Sequence, residues 1–369
     1  MNDIFNLIDK LQSRRALSLE EYELLISSRT PEAAEYLRKK AEKVRRAVYG
    51  NKVFIRGLIE ISNVCKNNCY YCGIRAENKS CLRYSLNYEE IMLCCISGYD
   101  AGFRTFVLQG GENESYSDEF LCSLISDIKE KCPDCAVTLS LGERSPESYI
   151  KLFYAGADRY LLRHEAADKE LYEKLHPENM SYENRMECLK ELKRIGYQTG
   201  CGFMVGAPYQ TAKQLAKDLQ FVAGFMPQMC GIGPFIPHKD TAFANEAAGS
   251  AELTCYLLSI IRLANPQILL PATTALSTVA NDGTERGILA GANVVMPNLS
   301  PLAVRGKYDI YNNKRFTQTD AKEQRSSLEE RMKAIGYEVV TDRGDYKKRP
   351  YPILNAQSRE LLKKRWEQN

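Results

Sequence analysis

Apolar residues in this chain follow two rhythms. Up to about residue 50 the spacing is helical. Ile4, Leu7, Ile8 and Leu11 share one face, Ser18 with Glu21 forms a capping box, and Pro31 opens a basic, Ala-rich segment that runs to Tyr49. From residue 51 the rhythm changes. Eight short apolar or β-branched runs, at 53–61, 105–109, 136–141, 159–164, 198–205, 230–236, 268–274 and 293–297, alternate with helical segments such as 88–101, 117–131 and 182–195. Asn87 and Glu90 are placed to cap the first of these, and Gly102, Gly156, Gly196 and Gly291 stand where helices should stop. Eight strand–helix alternations predict an α/β fold, a (β/α)8 TIM-type barrel. A doubly wound open sheet is the alternative, because alternation alone does not prove closure. The chain divides into a helical extension over 1–50, a barrel over 51–298 and a polar region over 299–369 with a helix near 323–334. That last region is expected to cap one end of the barrel, and it and the N-terminal helices are candidate plugs.

Composition narrows the function. Fifty basic residues against 47 acidic leave a net charge of +3, which gives no electrostatic case for nucleic acid or an anionic membrane. The N-terminus lacks the apolar core of a signal peptide, and no stretch approaches the roughly 18 apolar residues of a spanning helix. A soluble, cytoplasmic protein is expected. Thirteen cysteines is a high and odd number. Without a secretory context they should be reduced, a few as ligands and the rest as small buried hydrophobes.

The ligands are legible in one place. The first strand runs into Cys65-Lys66-Asn67-Asn68-Cys69-Tyr70-Tyr71-Cys72, a CxxxCxxC on a loop at the C-terminal face of a barrel, where barrel active sites lie. Three thiolates so spaced can wrap one corner of a 4Fe-4S cubane, each taking one iron. The fourth iron then lacks a protein ligand, and the amino and carboxylate groups of S-adenosylmethionine (SAM) fit the open position. One electron passed into the sulfonium would yield a 5′-deoxyadenosyl radical. Zinc is the rival. It wants four ligands, and Cys81 as the fourth would give CxxxCxxCx8C, which is not a usual zinc spacing. Such a chain would be a non-catalytic scaffold.

At this motif the sequence resembles the radical S-adenosylmethionine superfamily and, across nearly its whole length, the HydE family of FeFe-hydrogenase maturases. The resemblance rests on residues 59–65 (IEISNVC), Cys72-Gly73-Ile74-Arg75, 138–143 (TLSLGE), 155–165 (AGADRYLLRHE), 231–238 (GIGPFIPH), Pro271-Ala272-Thr273-Thr274-Ala275 and 291–298 (GANVVMPN). It implies a closed barrel around a large cavity. It implies action on an iron–cysteine carbonyl cyanide species, supplied by partner maturases on the way to the diiron subcluster, with an external one-electron donor. Some members carry a second cluster on C-terminal cysteines; here the last cysteine is Cys255, so none is expected. Biotin synthase and methylornithine synthase share the barrel and the motif and are the alternatives within the superfamily.

The resemblance also implies roles. Tyr71 packs on SAM, Gln109 opens the Gly-rich segment near its amino group, and Ser140, Glu165, Arg185 and Met204 complete its site, with Arg185 suited to the methionine carboxylate. Arg159 and Arg163 stand four apart on one strand, so both should enter the barrel. With Thr138, Thr273 and Thr274 they resemble an anion site for the substrate, and Tyr308 and Tyr311 line the cavity. His164 alternates toward the helices and reads as a packing residue; His238 is a loop residue. The Cys132–Cys135 CxxC has no thioredoxin-like setting and is incidental, as are Cys94, Cys95, Cys122 and Cys188.

Overall fold

Most helices of the computed structural model, which describes residues 2–347, begin at a side-chain cap. Ser18 and Asn87 each close a full capping box with Glu21 and Glu90, and Ser117, Ser145 and Ser181 each accept an N3 backbone N–H. The strands between them are β1 (Lys52–Ile55), β2 (Gly57–Ser62), β3 (Thr105–Gly110), β4 (Ala136–Ser140), β5 (Arg159–Leu161), β6 (Gln198–Cys201), β7 (Met204–Val205), β8 (Met229–Cys230), β9 (Gly233–Pro234), β10 (Val294–Val295) and β11 (Glu338–Val340).

A parallel ladder runs β2-β3-β4-β5-β6-β8, and β7-β9 continues it toward the C-terminal face. Met229 then bridges to Leu269, Pro271 bridges to Val294, and β10 pairs with β1. Since β1 and β2 are one strand interrupted at Arg56, the ladder returns to its start. The fold is a closed (β/α)8 barrel, and the open sheet is excluded. Odd positions of the first strand (Val53, Ile55, Ile59, Ile61) pack in the core beneath the helices, while Arg56, Leu58 and Glu60 line the interior.

Two expectations need correction. The run 268–274 forms no regular strand, only bridges at Leu269 and Pro271. Pro271 has no N–H for a ladder, and Thr273 already serves as N-cap of the Thr274–Val279 helix. The described part of the C-terminal region, 299–347, reaches both ends of the barrel where one was expected. Residues 306–314 cross the top, where Ile310 O accepts from Gly73 N–H (2.9 Å) and Pro237 O from Asn312 N–H (3.0 Å). After the Ala321–Ala334 helix the chain returns to the bottom, where β11 pairs with β1 and residues 342–346 cross the opening. The rest of the expected cap lies outside the described residues.

The three N-terminal helices, Asn2–Arg14, Leu19–Ser27 and Pro31–Tyr49, do not plug the barrel. They pack on the outer helices Ala212–Phe225 and Ala251–Ala264. The fully buried Arg45 ties them to the wall through the carbonyls of Gly50, Lys52 and Ala292. Among the described residues no helix is long and apolar enough to cross a membrane.

Candidate active site

The cysteine loop leaves β2 at the C-terminal face and is fastened at many points. Lys66 N–H donates to Glu112 O (3.1 Å), Tyr70 N–H to Leu175 O (3.1 Å) and Ala76 N–H to Asn67 O (2.8 Å). Arg83 gathers the carbonyls of Asn63 (2.6 Å), Ile74 (2.7 Å), Arg75 (2.5 Å) and Asn78 (3.2 Å) under one guanidinium. Gly111 shows why the 109–112 segment is glycine-rich: a Cβ there would stand 2.3 Å from Val64 O and 2.6 Å from Cys65 Cβ. Its neighbour Glu112 gives its N–H to Cys65 Sγ at 3.4 Å.

Cys65, Cys69 and Cys72 are all free and half-buried. Burial pushes the thiols of Cys65 and Cys69 up and that of Cys72 up to about 12. Alone they are protonated at neutral pH; a metal center is what would hold them as thiolates. Among the described residues no group of three or more His, Cys, Asp or Glu side chains is close enough to hold a single metal ion. A cubane takes its ligands one per iron, so three cysteines on one loop can serve it, whereas a structural zinc site wants four ligands.

Beside the loop lies a set of polar groups from three strand ends. The Tyr71 hydroxyl is 3.1 Å from His176 Nε2. His176 Nδ1 lies 2.8 Å from Tyr172 O, which can only accept, so Nδ1 carries the proton and Tyr71 donates to Nε2. Met204 packs in the same cluster as Tyr71, Tyr172 and Phe235. Arg185, buried on the Tyr182–Ile195 helix, pairs through Nε with Glu143 and gives Nη1 to Arg163 O (2.8 Å), leaving Nη2 without a hydrogen bond among the described residues. Glu165 has φ +63° and a buried Oε2 with no hydrogen-bond partner, 3.2 Å from Arg163 Nη2. Ser140 ends β4, in register with Gln109 on β3. A groove of about 600 Å³, walled by Lys66, Asn67, Glu112, Glu143, Met180 and Asn184, runs past the loop.

Below this level the barrel holds a cavity of about 130 Å³ lined by Arg56, Glu60, Gln109, Thr138, Arg163, Thr273, Thr274 and Tyr311, among others. Its walls are rich in unsatisfied donors. Arg56 is fully enclosed and offers only Nη1 to Met229 Sδ (3.1 Å), while its Nε and Nη2, Arg163 Nε and the hydroxyls of Thr138 and Thr273 have no partner. Glu60, with burial pushing its carboxyl up, meets Lys314 at 2.6 Å and Asn298 at 2.8 Å. Tyr308 is buried beside Gln109, with Lys314 Nζ 5.0 Å over its ring.

Comparison with known proteins decides what the loop belongs to. Residues 59–222 match the family model described as the Radical SAM superfamily. The chain is 44% identical over 308 residues to the [FeFe] hydrogenase maturase subunit HydE of Thermotoga maritima, covering 84% of this chain and 87% of that one. The chain belongs to the radical SAM superfamily, in its HydE family. It is also 30% identical to the 3-methylornithine synthase of Methanosarcina acetivorans, over 79% of this chain and 83% of that protein. The crystal structure of a methylornithine synthase superposes with a TM-score of 0.79 at 27% identity, covering 90% of this chain and 97% of that one.

As a radical SAM enzyme the protein works with a 4Fe-4S cluster and SAM, and the residues present fit both. Three free thiols share one loop, and near it stand Arg185 Nη2, which donates no hydrogen bond among the described residues, and Glu165, whose Oε2 accepts none and is ion-paired with Arg163 Nη2, as a carboxylate and an amine require. For a HydE-family barrel, one expected position is wrong. Arg159 does not line the cavity. It lies at the barrel floor, donating to Thr105 Oγ1 (3.0 Å), Arg343 O (2.7 Å) and Asp345 Oδ1 (2.7 Å). Parity along a strand gives the face and not the depth: four residues are about 13 Å. Arg56, the Glu60–Lys314 pair and the Glu143 brace on Arg185 went unread in the sequence. A signal for the first two existed, since Arg56 and Glu60 are charges of one parity inside an apolar run. His164 packs against the helices as expected, and His238 braces the top loop, 3.3 Å from Asp309 Oδ2.

Proposed function

We propose that this enzyme matures FeFe-hydrogenase by acting on an anionic iron–cysteine carbonyl cyanide species held in the barrel. The observation that carries the reading is the cavity under the cysteine loop, whose buried donors without hydrogen-bond partners on Arg56, Arg163, Thr138 and Thr273 call for an anion. The relative named a hydrogenase maturase, at 44% identity, supports it. The cluster and SAM, once bound, supply one-electron cleavage of the sulfonium to a 5′-deoxyadenosyl radical.

The chain supplies placement. Cys65, Cys69 and Cys72 hold the cluster. Arg185 takes the methionine carboxylate, braced by Glu143, with Ser140 serving the same ligand. Glu165 accepts from the ribose or amine, Gln109 stands at the amino end, and Tyr71 and Met204 pack on the adenosyl moiety. Arg163, Thr138, Thr273 and Thr274 bind the substrate's anionic end, with Tyr308 and Tyr311 above. A primary carbon radical abstracts hydrogen from almost any neighbour, so the strap at 306–314 matters by keeping water out. Partner maturases would hand over the substrate, and an external carrier the electron.

The test is anaerobic cluster reconstitution followed by assay of 5′-deoxyadenosine with and without a synthetic iron–cysteine carbonyl cyanide complex. Stimulation by that complex, lost in Arg163→Leu, is expected. Stimulation by an amino acid alone, with none by the complex, would move the enzyme to the methylornithine synthase type.

A further inference from the structure

One buried acid–base pair has no part in the roles above. His164 is fully enclosed, its ring 5.7 Å from Phe203 and 4.7 Å from Phe221, and Asp218 of the Ala212–Phe225 helix is enclosed as completely. The two meet, His164 Nε2 to Asp218 Oδ1, at 3.2 Å. The tautomer follows from the other nitrogen. Gly202 N–H donates to His164 Nδ1 at 3.3 Å, so Nδ1 carries a lone pair and Nε2 the proton given to Asp218. The same carboxylate oxygen accepts Ala167 N–H at 2.6 Å, while Oδ2 has no partner. Burial pushes the Asp218 carboxyl up. Stability alone is a weak reason for such a pair, since replacing both partners of a buried hydrogen bond by apolar groups of the same shape can be nearly neutral.

Its position does explain it. His164 precedes Glu165, and Ala167 follows it by two, so the pair grips the chain on both sides of one residue. That residue is in the left-handed region at φ +63°, a conformation that costs a side chain about 1 kcal/mol or more. The turn is closed by Ala166 N–H to His164 O (2.8 Å) and by Glu165 N–H to Gly202 O (3.0 Å). Gly202, which supplies contacts to both residues, is itself fixed: a Cβ there would stand 2.1 Å from Gly231 O. The outcome is a carboxylate turned inward whose Oε2, among the described residues, accepts no hydrogen bond and has only the Arg163 guanidinium, at 3.2 Å, beside it.

The geometry points to His164 and Asp218 as a positioning pair that holds residues 164–167 in a strained turn and so aims the Glu165 carboxylate at SAM. The inference rests on Glu165 being a SAM contact, as proposed above. It makes the outer Ala212–Phe225 helix part of the SAM site, through a side chain that never touches the ligand.

A double-mutant cycle read by equilibrium binding of SAM to the anaerobically reconstituted holoenzyme tests it. Glu165→Ala should weaken SAM binding about tenfold, the worth of one charge-assisted hydrogen bond. His164→Phe keeps a ring between Phe203 and Phe221 but makes neither hydrogen bond, and should weaken SAM by a similar factor. In the Glu165→Ala background it should cost nothing further, because it acts through that carboxylate. An equal cost in both backgrounds, or none in the wild type, overturns the positioning role while leaving Glu165 a contact. Wild-type affinity in Glu165→Ala overturns the contact and the inference with it. If His164→Phe does not fold, Asp218 carries the test. Asp218→Asn keeps an acceptor for both donors and should bind SAM within about twofold of wild type, while Asp218→Leu should lose affinity as His164→Phe would. Equal losses in the two variants would overturn the proposal.

Discussion

Cys69 is the middle thiol of the triad, half-buried, with Met180 Sδ 3.7 Å from its sulfur. Replacing it with serine removes a soft ligand and little packing, so the damage should be confined to the cluster. Cys69→Ser is expected to abolish 5′-deoxyadenosine formation while its melting temperature stays within about 3 °C of the wild-type apoprotein. Retained SAM cleavage by the purified variant would dismiss the triad reading. The triad was legible in the sequence because its geometry is local, three cysteines on one loop. The arginines were half legible. Alternation turned both Arg159 and Arg163 inward, yet only the fold shows that one stands at the mouth and the other at the floor. The Glu143 brace on Arg185 was not legible, because it joins a strand-end loop to a helix 42 positions away.

At the scale of elements, capped and periodic segments were readable from the sequence, and pairings at a distance were not. The capping boxes at Ser18 and Asn87 fall where the residues called for them, since both partners lie within one turn. β11 was missed because Glu338–Val340 is too short to show alternation and gains its structure only from the edge of β1. The short Lys169–Leu175 helix carries a consequence of its own. His176 at its C-cap stacks on Tyr172, with centroids 4.0 Å apart, and burial pushes its pKa down to about 3. Between the ordinary imidazole value near 6.5 and about 3, the unfolded chain therefore binds a proton that the folded chain refuses. The stability that His176 contributes is complete above the unfolded value and drains as pH falls through that window, by about 1.4 kcal/mol per pH unit. His176→Gln can still accept from Tyr71 and donate to Tyr172 O but does not titrate. Urea unfolding at pH 7 and pH 5 should show the wild type losing about 2 kcal/mol more than this variant. Parallel losses in the two proteins would mean that His176 is accessible enough to protonate in the folded state.

Across the whole molecule the C-terminal region crosses the barrel twice, with 306–314 above and 342–346 below. The floor is built from ion pairs that tie strands to the strap. Arg159 reaches Asp345 and Arg343 O, Arg343 reaches Asp158 (3.0 Å) and Cys135 O (2.7 Å), Gln198 Nε2 donates to Asp345 (2.9 Å), and Tyr346 N–H donates to Gln198 Oε1 (3.0 Å). Arg159 is wholly buried, burial pulls its guanidinium down to about 9, and Asp345 pairs with it at 2.7 Å. Arg159→Met keeps most of the stem and deletes the charge, leaving Asp345 with Gln198 and Arg343. Breaking a buried pair from one side should cost about 3 kcal/mol in urea unfolding. A floor residue and a substrate residue part company in a second measurement. If Arg159 bound the substrate's anion, the variant would lose affinity for a small anion such as thiocyanate soaked into the cavity. As a floor residue about 13 Å below Arg163, it should leave both that affinity and SAM binding at wild-type values, whereas Arg163→Met should reduce anion binding. The reverse pattern would put Arg159 back in the substrate site.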